Sequence, residues 1–295
     1  MSLAAQILLG VLLLLAIFFV WRWLQMERGS NKNPGAVNPA IGFVTNFFDT
    51  LGIGSFATTT SIFKFLRTMP DEKIPGTLNV GHALPTVVQA LIYIKLVQVD
   101  PTTLIAMIVA SVAGAWFGAG VVTKLPRRAI QIGMGIALLA AAGLFVMQIL
   151  NESPEGGQAL ALVGAKFWTG ISVNFVLGAL MMLGIGLYAP CLILVSLLGM
   201  NPAAAFPIMM GSCAFLMPTS GLRFIKTRRY DLRAAIGLAL GGIPAVLIAA
   251  FLVVSLPLGW LRKLVVIVVL YAAITMLWSA LKEGRAAQPQ SEPAK

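Results

Sequence analysis

The sequence predicts an all-α polytopic membrane protein with two inverted repeats. Each repeat is a broken or re-entrant helical hairpin plus three transmembrane helices, and one extra N-terminal span precedes them. Three observations predict this. First, the 295 residues are 59% hydrophobic and only 11% charged. A soluble domain carries about 25% charged residues, so this chain cannot clothe a water-facing surface. Second, apolar stretches of the roughly 20 residues needed to cross a bilayer recur from end to end. Third, one ordered series of landmarks occurs twice. Leu51-Gly52-Ile53-Gly54, Pro70, Pro75, Pro85-Thr86, Ile94-Lys95, Asp100 and Leu125-Pro126 return as Leu183-Gly184-Ile185-Gly186, Pro202, Pro207, Pro218-Thr219, Ile225-Lys226, Asp231 and Leu256-Pro257. The offset stays between 131 and 133 positions, and duplication on this scale in an apolar chain is a signature of transporter architecture. Outer-membrane strands are excluded because runs such as 11–20 and 264–270 do not alternate apolar and polar residues.

The elements follow in order. The run 3–24 has no basic segment before it and no small-residue cleavage site after it. Trp21, Arg22 and Trp23 read as an interfacial anchor, so this is a retained span. With its polar connector it forms a unit over 1–38. The first repeat, 39–150, has apolar segments at 39–66, 75–96, 101–123 and 127–149. A linker follows over 151–165. The second repeat, 166–282, has segments at 168–199, 204–226, 232–255 and 261–281, and 283–295 is a polar, disordered cytoplasmic tail.

The first segment of each repeat is too long for one ordinary span, and glycines interrupt its middle. It is either one long broken helix that crosses or a hairpin that returns to its own side. The hairpin places 17 of the 21 Lys and Arg on one face, leaving Lys95, Lys166, Arg262 and Lys263 opposite. The crossing alternative splits them 13 and 8. Cationic residues concentrate in cytoplasmic loops, which prefers the hairpin. Each repeat then crosses three times and the second copy is upside down. The N-terminus is outside and the C-terminus cytoplasmic.

The net charge of +11 reads as this orientation signal, not as a nucleic-acid surface, since no aromatic-basic interleaving accompanies it. Cys191 and Cys213 lie in apolar segments and read as small hydrophobes. No metal-ligand spacing occurs, no P-loop occurs and no cofactor is expected. One histidine, two separated cysteines and one deeply placed aspartate leave little equipment for an enzyme.

Phe47-Phe48-Asp49 before Leu51-Gly52-Ile53-Gly54, together with Pro85-Thr86, Val99-Asp100 and Leu125-Pro126, resembles the sulfite exporter TauE/SafE family of membrane permeases. The resemblance covers about residues 40–282. It implies transport of sulfite, sulfonates or similar small anions across the bacterial cytoplasmic (inner) membrane. The family pattern usually has a third glycine after Gly-Ile-Gly, whereas this chain has Ser55-Phe56 and Leu187-Tyr188.

Helix N-termini exposed by the breaks carry partial positive charge and suit anions. Gly52, Gly54, Gly184 and Gly186 either let backbone approach a ligand or only permit tight helix packing. Ser55 and Thr58 are candidate donors to substrate, with back-bonding to their own helix as the alternative; Tyr188 stands near this place in the second copy. Asp49 is an ionisable residue in an apolar segment. It is a proton-coupling candidate, or else it caps the broken helix or is hydrated. Asn79 and Ser212 are equivalent positions that either face an anion from opposite sides or brace their own helices. His82 is a binding or proton-coupling candidate, or a neutral residue bonded to backbone. Pro85 and Pro218 should kink their helices, with Thr86 and Thr219 satisfying freed backbone groups. Gln89 lines the same pathway as His82, while Asn46 and Asn174 contact ligand or brace the hairpins.

The sequence therefore predicts a secondary transporter that exports a small sulfur-containing anion by alternating access, coupled to protons or to membrane potential. Its partners are that anion, the lipid bilayer and, in a homodimer, a second copy. The alternatives are a passive anion channel, an uptake carrier for another anion, and a sensor or scaffold. A single cysteine placed by Arg67→Cys tests the hairpin. It should react with an impermeant maleimide from the cytoplasmic face only, and periplasmic labelling would establish the crossing alternative.

Overall fold

The computed structural model describes residues 3–30, 33–150, 156–184, 186–252 and 259–286. Its helices are α1 (Leu3–Met26), α2 (Val37–Thr50), α3 (Ser55–Leu66), α4 (Ile74–Gly81), α5 (Ala83–Leu96), α6 (Pro101–Val122), α7 (Arg127–Ile149), α8 (Gly164–Met181), α9 (Tyr188–Leu197), α10 (Ala205–Lys226), α11 (Leu232–Leu252) and α12 (Gly259–Ala286). Short 3-10 turns, Asp71–Lys73 and Pro202–Ala204, lead into α4 and α10. Among the described residues, six stretches are long and apolar enough to cross a membrane: Leu3–Met26, Asp71–Leu96, Pro101–Val122, Arg127–Leu144, Pro202–Lys226 and Leu232–Phe251. The protein is thus a polytopic helical membrane protein, as its composition predicts. α12 occupies the seventh expected place and runs to Ala286, into the segment expected to be tail. Residues 151–155 of the linker, the Leu256-Pro257 landmark and tail residues 287–295 lie outside the described residues.

Both glycine breaks form. α2 stops at Thr50 and α3 starts at Ser55; α8 stops at Met181 and α9 starts at Tyr188. Gly52 and Gly184 take φ of 93° and 94°, a region in which a Cβ clashes with backbone. Each donates its N–H three residues back, Gly52 to Asp49 O and Gly184 to Met181 O, both at 2.9 Å. The copied sequence therefore makes the same bend at Gly52 and at Gly184, and Ile185 of the second landmark lies outside the described residues.

Contacts sort the helix ends into two groups. At one end, Lys64 closing α3 bonds Asp71 before α4 at 2.8 Å. Arg127 opening α7 pairs with Glu72 at 3.4 Å and with Glu283 near the end of α12 at 3.1 Å. Thr77 Oγ1 accepts from Asp231 N before α11 at 2.8 Å. α2 runs parallel to α11 from this same end: Asn38 and Pro39 abut Gly237 and Gly241, and Asn46 abuts Gly242. At the other end, Asp100 N bonds Leu160 O at 2.9 Å and Asn201 N bonds Ala159 O at 2.8 Å. The approach to α6, the approach to α8 and the exit of α9 thus meet there. α2 and α3 begin and finish at one end, α8 and α9 at the other. With about 1.5 Å of rise per residue, each arm of either pair is shorter than the roughly 30 Å hydrocarbon core.

Packing is reciprocal. α2 of the first copy lies along α11 of the second, and α8 of the second lies along α6 of the first. Small residues make both seams close. A Cβ on Gly114 would sit 1.8 Å from Phe175 O, and one on Gly241 would sit 1.8 Å from Pro39 O. Membrane helices associate through such backbone approach because lipid supplies no hydrophobic drive.

α1 packs on the outside, against α10 and α5. Its end is held by Glu27, which is buried and accepts from Tyr230 Oη at 2.7 Å, from Ser30 Oγ at 2.9 Å and from Arg228. Burial pushes the Glu27 carboxyl upward, but hydrogen bonds from Tyr230, Arg228 and Ser30 outweigh it, so its pKa lies below the ordinary carboxylate value.

The two proline landmarks behave differently. The first copy breaks at His82, between α4 and α5, while α10 continues through Pro218. Of the two positions expected to kink, only the first interrupts its helix. Gly81 there is matched by Ala214, a far better helix former. Gly114→Ala should destabilise the protein by about 1–3 kcal/mol through overpacking. Gly143→Ala, whose Cβ meets nothing within 4 Å, should be neutral or stabilising. Thermal unfolding in detergent separates the two.

Candidate functional site

The two breaks face one cavity of about 70 Å³. A water needs about 10–15 Å³ on this measure, so the space suits a few waters or one small oxyanion. Gly54, Ser55 and Phe56 line it from the first break, and Gly186, Leu187 and Tyr188 from the second. Asp49, Thr86, Met181 and Met217 complete the inner wall, and Ala140, Ala141 and Leu144 of α7 form an outer wall. Ala140 is exposed, so the outer wall carries the rim.

Asp49 is the centre of its polar network. Its Oδ1 accepts from the backbone N–H of Ser55, the first residue of α3, at 2.5 Å. Its Oδ2 accepts from Gln89 Nε2 at 2.9 Å. Gln89 also donates to Thr50 Oγ1 at 2.9 Å, and its Oε1 accepts from Tyr188 Oη at 2.5 Å. These partners fix the amide orientation of Gln89. A hydrogen-bonded line therefore runs from the first break, through α5, to the first residue of α9. Asp49 is 2% exposed and Gln89 is fully buried, and among the described residues no cation pairs with Asp49. α9 differs: among the described residues no carboxylate accepts from its first N–H groups as Asp49 does from Ser55. Met181 stands where the first copy has Asp49, so the second break has no acid of its own.

The other predicted residues divide. Gly54, Ser55, Thr86, Gly186 and Tyr188 line the cavity with Asp49, whereas Gly52 and Gly184 shape the turns behind it. Thr58 Oγ1 bonds back to Ser55 O at 2.9 Å and to Gly54 O at 3.1 Å, its local alternative. Asn79 and Ser212 do not reach the cavity. Asn79 Nδ2 bonds Pro75 O one turn back at 2.9 Å, and Ser212 Oγ accepts from Asn174 Nδ2 at 3.2 Å. Asn174 also bonds Met107 O of α6 at 2.7 Å, bracing the α6–α8 seam. Thr219 Oγ1 bonds Phe215 O.

His82 sits behind the cavity. Its Nδ1 lies 3.1 Å from Asn46 Oδ1, and its Nε2 lies 3.0 Å from Thr59 Oγ1. Asn46 Nδ2 donates to Gly42 O at 2.7 Å, which leaves Oδ1 as acceptor. His82 Nδ1–H therefore donates to Asn46, while Nε2 faces the Thr59 hydroxyl, which can donate or accept. These contacts tie the start of α5 to α2 and α3, and Asn46 is part of that tie. Sequence reasoning missed Met217 and the α7 wall, because Ala140, Ala141 and Leu144 look like any lipid-facing residues.

A helical membrane protein with a small central cavity between two broken helices has the architecture of a membrane transporter. A family model described as Sulfite exporter TauE/SafE matches residues 2–145 and 167–295. The chain belongs to that family, whose members are membrane transporters of sulfur anions and not enzymes. Comparisons with curated proteins and with solved structures give no match.

The Asp49–Gln89–Tyr188 line should behave as one unit. Tyr188→Phe leaves buried Gln89 Oε1 without a partner, a loss of about 1–3 kcal/mol. Gln89→Leu added to it should cost less than the sum of the two single changes, read by chemical unfolding in detergent. Additive losses would mean that the bonds are independent.

Proposed function

We propose that this protein exports a small sulfur-containing oxyanion, sulfite or a sulfonate, across a bacterial inner membrane by alternating access. The observation that carries this is the convergence of both glycine breaks on one small cavity. α3 and α9 both start there, so their dipoles place partial positive charge from two directions on the same space. An anion can thus be held at membrane depth without a buried Lys or Arg. Gly54 and Gly186 leave room for it beside the backbone.

The two copies act as inverted repeats. In this reading the Lys64–Asp71–Arg127 end is cytoplasmic, because it carries most of the positive charge; the C-terminus lies there and the N-terminus outside. A negative interior favours anion exit, and proton movement is the second source of coupling. Exchange of conformation between the reciprocal α2–α11 and α8–α6 pairs would open the cavity to either side.

Purified protein in liposomes tests this. Sulfite or sulfonate efflux should saturate with concentration and show counterflow. Gly186→Leu, whose added side chain enters the cavity beside Phe56, should reduce flux at least tenfold while the protein stays folded. Ohmic current at high rate would make it a channel. Undiminished flux in Gly186→Leu would move the site elsewhere.

A further inference from the structure

We propose that Asp49 is a tethered internal anion that competes with the transported anion for the start of α3, so that substrate occupies this tip only as Asp49 takes up a proton. The proposal rests on the cavity being the substrate site. The structure already shows what the tip does with an anion: a carboxylate, carried six residues upstream, occupies the first N–H of α3 at 2.5 Å. The carboxylate also lines the cavity. A substrate oxyanion entering beside it would meet a like charge in a site of low dielectric, where repulsion is strong. Two charges there are compatible only if one is neutralised.

The surroundings leave Asp49 as the group that can do this. Gln89 and Ser55 donate to it but hold no exchangeable charge. Its titratable neighbours are Tyr93 of α5, Tyr188 of α9 and Cys213 of α10, phenols and a thiol that are neutral near physiological pH. α11, packed along α2, has no ionisable residue over 237–252. The α7 and α8 faces of the cavity are Ala140, Ala141, Leu144 and Met181. His82 already spends both ring nitrogens on Asn46 and Thr59.

Gln89 extends the consequence to the other tip. Its amide donates to Asp49 and accepts from Tyr188, so a change at Asp49 alters the partner of the residue that opens α9. The second tip lacks an acid and stays available to substrate throughout. Asp49 is in this sense a positioning residue whose charge decides whether one tip or both hold the anion.

Proton counting tests this on the intact, detergent-solubilised chain. Methanesulfonate, whose charge is fixed across the physiological range, is added in lightly buffered solution with a pH indicator. Sulfite is run in parallel, its own titration being common to all variants. The wild type should take up about one proton per anion bound, and its affinity should fall about tenfold per unit rise in pH while Asp49 is ionised. Asp49→Asn should bind without proton uptake and with affinity flat in pH. Binding by the wild type without proton uptake overturns the proposal even if the variant fails to fold. So does an unchanged pH slope in Asp49→Asn. If neither protein binds either anion, the cavity reading itself falls and takes this coupling with it.

Discussion

A helix that stops inside a membrane leaves backbone groups that hydrocarbon cannot satisfy, and the rest of this structure is arranged around that constraint. Each unsatisfied group costs several kcal/mol in lipid, so broken helices survive only where protein or a wet cavity receives their ends. Gly52 and Gly184 close the outgoing helices by folding the chain back on its own carbonyls. Asp49 receives the first N–H of α3. The cavity takes what remains. α11 and α6 shield α2 and α8 from lipid, and they come close enough only because glycines at the seams present backbone to backbone. The breaks, the reciprocal seams and the cavity are one solution to one problem.

The solution is symmetric in backbone and asymmetric in side chains. Both turns share φ near 90°, yet only the first has a carboxylate in reach. The bracing residues differ in the same way. Asn46 holds His82, whereas Asn174, which precedes the second break, holds the α6 backbone and Ser212. Gly81 permits a break between α4 and α5 that Ala214 does not. A duplicated chain has thus kept the geometry that makes a site and spent its differences on what surrounds it.

This division explains what could be read from the sequence. Glycines at matched positions, prolines in matched order and the apolar composition are properties of backbone and solvent, and they are what made the fold class and the broken segments legible. Asp49 was legible because an acid among Phe47, Phe48 and Leu51 has no ordinary place. Side-chain partners were not legible. Asn79 and Ser212 occupy matched positions and have amide and hydroxyl donors, but a kinked and an unbroken helix aim them at different neighbours. His82 stood out as the sole histidine, but its contacts depend on Asn46 and Thr59 arriving from other helices. The α7 wall has no chemical signature, since alanine and leucine face lipid and cavity alike.

The two ends of the molecule are held by different chemistry, and that bears on how the cavity would open. At the Lys64 end, Asp71 bonds Lys64 and Gln131, and Arg127 reaches Glu72 and Glu283. These pairs tie α3, α7 and α12 together with one another. Arg127 is half exposed while Asp71 is nearly buried, so the cluster straddles the boundary between water and protein. Exposed ion pairs contribute little to stability, whereas the Lys64–Asp71 contact lies inside and resists parting. The opposite end is joined by backbone bonds among residues 100, 157–160 and 199–201. The outer wall of the cavity, 140–144, lies about 20 Å along α7 from Arg127, toward that second end. In the orientation proposed above, the Lys64 end is the cytoplasmic one, and it is held by charge. Opening inward then requires Lys64 to leave Asp71, which would expose two unpaired charges to water at the moment water can reach them.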